Sequence, residues 1–149
     1  MAFTTPQLRQ LFAARVAGVA GLREASGLLG PSREPATVVD RSFSVVMGQD
    51  VPTPGERYTQ SGDMALTQSF SVRLAHKLHP KDGPAAYDQA LADRDAVRAR
   101  MLHKVTDAAS PIQGLIRYRG SIEGQVTGGG GYMLSEVQFT VDFPVYLGA

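Results

Sequence analysis

The sequence predicts an α+β fold: two helices packed on one face of a four-stranded mixed or antiparallel sheet in two layers, with one long projecting loop. Two observations carry this prediction. Four segments alternate apolar and polar residues with period two, most clearly 64–78 and 137–147. Two others, near 6–22 and 84–104, repeat apolar residues at helical spacing. The order is helix, strand, long loop, strand, helix, strand, strand, and 149 residues suit a single domain over 1–149.

In the first helix Thr5 can cap while Pro6 occupies the first turn. Leu8, Leu11, Phe12, Val16 and Val19 form its apolar stripe, and Gly18 and Gly21 predict an end near 20–25. Residues 26–36 are rich in glycine and proline and read as a loop. The first strand alternates Phe43, Val45 and Met47 with Ser42 and Ser44, and 37–39 could lead into it. Residues 48–63 lack apolar periodicity and read as the long exposed loop.

The strand over 64–78 places Leu66, Phe70, Val72, Leu74 and Leu78 opposite Thr67, Ser69, Ser71, Arg73 and Lys77. At about 3.3 Å per residue it spans roughly 50 Å, so a bulge or a projecting arm is expected. Pro84 opens the second helix, with Tyr87, Ala90, Leu91, Val97 and Met101 inward, acids early, and Arg98, Arg100 and Lys104 late. Residues 107–114 read as a loop. The third strand sets Ile116, Tyr118, Ile122 and Val126 against Arg117, Arg119, Ser121, Glu123 and Gln125. The run Gly128, Gly129, Gly130, Gly131 reads as a hairpin tip. In the fourth strand Val137, Phe139, Val141, Phe143, Val145 and Leu147 oppose Glu136, Gln138, Thr140 and Asp142. Tyr132 and Leu134 lie on the other parity, which predicts a bulge near Ser135. The sheet face away from the helices is expected to be polar. The second and third strands, if adjacent, would be parallel.

Chemistry is sparse. The absence of cysteine excludes disulfides, thiol catalysis and cysteine-ligated zinc. Fifteen basic against fourteen acidic residues give no general drive toward nucleic acid or anionic membrane. No stretch of about 20 apolar residues exists, so a soluble protein made inside the cell, without membrane association, is expected. His76 and His79 read as a solvated strand end more readily than as a metal pair. Asp93 and Asp95 point to different sides of one helix, no nucleophile motif is present, and the glycine run lacks a phosphate-loop ending. Arg117 and Arg119 face away from Tyr118, on a wet strand face. No catalytic residue, cofactor or metal is therefore expected. The features that remain suit assembly, and the interface candidates are Arg57, Tyr58, Gln60, Gly128, Gly129, Gly130, Gly131, Arg117 and Arg119.

The order of elements, together with QSFSVRLAHKL (68–78), AYDQALADRDAVRARM (86–101) and VQFTVDFPVYL (137–147), resembles the tail-terminator proteins of long-tailed bacteriophages. The resemblance covers roughly 37–147 and has no signature motif. It implies a ring, commonly a hexamer, that caps the tail tube, ends its polymerisation and offers a surface to the head–tail connector. The genome would pass through the lumen without sequence-specific contact. Such a protein resides in the virion neck and is assembled in the host cytoplasm. Loop 48–63 matches no tube-contacting loop of that family. Two other readings stand beside this one: another head–tail assembly protein (a stopper or tube subunit), and a small-ligand-binding or enzyme domain.

Overall fold

A computed structural model of the chain describes residues 3–30, 38–53, 63–77, 83–103, 107–126 and 132–146. Helix α1 spans Thr5–Ala17, and its cap is Thr4, one residue before the expected Thr5. Thr4 accepts the Gln7 N–H on its hydroxyl, and the Gln7 side chain accepts the Thr4 N–H at 2.9 Å. This reciprocal pair satisfies two otherwise orphaned donors. Replacing Thr4 by alanine is expected to cost about 1 kcal/mol, measured by urea unfolding. The helix stops at Ala17, earlier than expected, where Gly18 donates to the carbonyls of Arg15 and Val16.

Strand β1 (Arg23–Glu24) is a fifth strand beyond the four expected. Two residues carry no periodicity, so it leaves no sequence signal. It pairs in parallel with the start of β2 (Ser42–Pro52). The remaining elements are β3 (Asp63–Lys77), α2 (Gly83–Leu102), a 3-10 turn over Ser110–Leu115, β4 (Ile116–Val126) and β5 (Tyr132–Tyr146). The sheet order is β1-β2-β3-β5-β4, antiparallel apart from the first pair. β3 and β4 are therefore not the adjacent parallel pair considered from sequence. β5 lies between them, and α2 links strands that run in the same direction without pairing.

Residues 48–52 belong to β2, not to the loop expected there. β2 leaves the core as it runs, with its first four residues buried and its last five exposed, so the apolar alternation fades while the pairing continues. Residues 54–62 lie outside the described residues. β3 pairs with β5 without a break over all 15 of its residues, so neither strand has a bulge and the one expected near Ser135 is absent. The irregularities lie in the flanking strands instead: between Met47 and Asp50 in β2, and twice in β4. The β4 shift carries Ile122 onto the opposite face from Tyr118, which breaks the expected parity.

Both helices bury their apolar sides against one sheet face. Leu8, Phe12 and Val16 of α1 and Val97 and Met101 of α2 share a core with Phe43, Val45, Phe70, Val72, Leu74, Val137, Phe139, Val141 and Phe143. Tyr87, expected inward, is 37% exposed. The opposite face is not purely polar. Leu29 and Val38 cover Ala75, Tyr132 and Leu134 there, and the Tyr132 hydroxyl donates to the Gly30 carbonyl at 2.7 Å. That second cluster explains why Tyr132 and Leu134 sit on the other parity without any bulge.

Candidate interaction surface

Two edges bound the sheet. β1 covers β2 only at Ser42 and Phe43, so Ser44 to Pro52 have no partner strand on their outer side among the described residues. At the other edge the outer side of β4 is likewise unpaired among the described residues. Each edge strand is 11 residues long. Since the four long strands alternate in direction, the two edges run opposite ways. Each presents an exposed apolar side chain, Val51 at 41% and Ile122 at 52%. An unpaired strand edge of this kind is a template for pairing with another chain.

Of the sequence candidates, Arg57, Tyr58, Gln60 and Gly128, Gly129, Gly130 and Gly131 lie outside the described residues. Arg117 and Arg119 are on the β4 edge and face the polar side of the sheet. Arg117 donates to Asp142 at 2.9 Å, and Asp142 also accepts from Thr67, whose hydroxyl lies 3.3 Å from that of Thr53. This row ties β2's end, β3, β5 and β4 together. Arg119 donates from Nε to the Thr140 hydroxyl at 3.0 Å. Tyr118 is not the core residue that strand parity implied. It is 36% exposed, with its ring tilted on Phe139 and the Arg98 guanidinium 5.4 Å from its centroid.

The polar centre that sequence reasoning missed lies beneath α2. His76, expected at a solvated strand end, is 2% exposed, and its Nε2–H donates to Asp93 at 2.7 Å. Arg41 grips the same carboxylate with Nε at 2.9 Å and Nη2 at 2.8 Å, and Nη2 also donates to the Ala20 carbonyl. Gln89 adds a donor at 3.0 Å. Arg41 holds a left-handed backbone, φ 55°, which side chains rarely adopt without compensating contacts. The network joins the turn after α1, the entry to β2, the end of β3 and the middle of α2. The expected divergence of Asp93 and Asp95 holds, with Asp95 exposed and paired to Arg98.

A His–Asp pair beside a serine has the composition of a hydrolytic triad, and Ser135 lies on the same sheet face, diagonal to His76. Access argues against that chemistry. His76 borders a cavity of about 260 Å³ with Arg41, Lys77 and Gln89, and Ser135 does not line it. Among the described residues, no group of three His, Asp or Glu side chains could hold a metal ion, and no helix is long and apolar enough to cross a membrane. No family model matches the chain, and no curated protein does.

The electrostatics of the network have a consequence for acid stability. Burial pushes the Asp93 carboxyl upward, but hydrogen bonds and charge from Arg41 and His76 outweigh it and hold the group below its ordinary value. Asp107 is also held low, first by its hydrogen bonds from Arg15. A carboxylate depressed in the folded state contributes stability above its unfolded pKa of about 4, and that contribution is lost as pH falls through the folded value. Stability is therefore expected to drop below about pH 4, and Asp93→Asn should flatten that drop in urea titrations at successive pH values.

Proposed function

We propose that this chain is a structural assembly protein that forms a closed ring, of the kind that caps a phage tail tube, with itself, the tube protein and the head–tail connector as partners. The observation that carries the proposal is the pair of open edges, opposite in direction, on one sheet. β4 of one copy laid against β2 of the next makes an antiparallel pair, and the sheet continues from subunit to subunit. Such a contact is heterologous: it closes into a ring where the rotation between copies divides a full turn, and forms an open filament where it does not. The resemblance over 37–147 supplies the hexameric expectation and the place in the virion neck.

The test is substitution at the two edges. Val51→Lys and Ile122→Lys each place a charge at an exposed edge position, where the cost to folding is within about 0.5 kcal/mol. Each variant should retain the wild-type melting curve and sediment as a monomer under conditions in which the wild type assembles. Assembly unaffected by both charges would remove the edges from the interface. Polymers of indefinite length in the wild type would favour a tube subunit over a terminator.

A further inference from the structure

The polar face of the sheet carries a groove of about 450 Å³, within the range of roughly 300–1,000 Å³ typical of small-molecule sites. Its floor is the Ser69, Ser71, Gln138 and Thr140 side chains of the two regular central strands, and Arg73 and Arg119 stand over it. Among the described residues, no carboxylate lines it. The strands on both sides depart from regular pairing at the same rung, Met47–Phe70–Phe139–Tyr118. Extra residues in flanking strands bend and twist them, which curls this face into a concavity. Buried Gln68 supports one of these departures by donating its amide to the Gly48 carbonyl at 2.8 Å. At the other, Gly120 takes φ 130°, which glycine alone adopts readily, and Arg119 is re-aimed across the sheet onto Thr140.

Arg73 is held by Glu136 at 2.7 Å and by the Leu29 carbonyl at 2.8 Å. Arg119 is anchored only through Nε, and among the described residues its two terminal nitrogens have no partner. An anchored guanidinium with a free fork is the geometry that receives an oxyanion in two parallel hydrogen bonds. The hydroxyl and amide groups on the floor suit the polar remainder of a ligand larger than a bare anion.

We propose that this groove binds a small polar ligand through its phosphate or carboxylate group, with Arg119 as the principal contact and Thr140 as the residue that positions it. The inference does not rest on ring assembly: the groove opens on the polar sheet face, although Arg119 itself stands on the edge strand β4.

The experiment is an amide-shift NMR titration of the full chain with inorganic pyrophosphate and, separately, citrate, against potassium chloride at matched ionic strength. Saturable shifts confined to 69–71, 119–120 and 138–140 with either probe, absent with chloride, are expected. Saturation by pyrophosphate alone assigns the site to phosphates, and by citrate alone to carboxylates. Arg119→Gln should weaken binding by about tenfold or more, as loss of a charge-assisted pair does, with an unchanged melting curve. Thr140→Val should weaken it less and leave the site's charge intact. Shifts that fail to saturate, that fall elsewhere, or that persist with equal affinity in Arg119→Gln would overturn the proposal.

Discussion

Replacing Phe139 by alanine is expected to destabilise the fold by about 3–5 kcal/mol, a loss of roughly 10 °C or more in melting temperature. Phe139 is 1% exposed and lies at the end of a ring stack that runs from α1 across the sheet. Phe12 stacks on Phe70 with centroids 4.2 Å apart, and Phe70 on Phe139 at 5.3 Å. One substitution thus removes buried area from the sheet and a contact from the chain of rings that docks the helix. Phe143, 2% exposed at the same sheet face, should show a loss of similar size. A double-mutant cycle between Phe70 and Phe139 should give a coupling of about 0.5–1.5 kcal/mol, which area burial alone does not produce. Thermal and urea unfolding measure all of these. An unchanged melting temperature in both single variants would mean that the inner face of the sheet is misassigned.

The second large effect is expected at Asp93. Asp93→Ala leaves the Arg41 guanidinium and the buried His76 ring without their shared acceptor, and breaking a buried pair from one side costs about 3–5 kcal/mol. Arg41 is 30% exposed at its side chain, so water relieves part of that loss and the lower end of the range is expected. Asp95, two residues along the same helix and 63% exposed at its side chain, provides the control. Its pair with Arg98 lies in solvent, and Asp95→Ala should cost no more than about 1 kcal/mol. Equal losses at the two positions would refute the reading of Asp93 as the centre of a buried network.

The residues show why much of the fold was legible in the sequence and why particular parts were not. β3 and β5 alternate because one face is covered by helices and the other is largely wet, and that asymmetry is written directly into residues 66–74 and 137–143. β2 beyond Met47 has no such asymmetry, because both its faces are exposed, so nothing in 48–52 separates strand from loop. β1 exists only because Arg23 and Glu24 meet Ser42 and Phe43, a pairing of distant segments. The parity of β4 fails at Gly120, where the register shifts and Ile122 changes face. His76 could not be placed from its neighbours, since its burial depends on Asp93 seventeen residues away and on Arg41 at the entry to the neighbouring strand. Among the interface candidates, strand alternation places Arg117 and Arg119 on the wet face where they are found, and the bulge that re-aims Arg119 has no local signature beyond the glycine after it.

Ring formation through complementary sheet edges is the central claim, and native mass spectrometry of the full chain across a concentration series to tens of micromolar tests it most directly. One discrete closed species, a hexamer, with no larger polymer is expected, collapsing to monomer in Val51→Lys and in Ile122→Lys. A chain that stays monomeric throughout the series, or a ring that survives both edge charges, would contradict it.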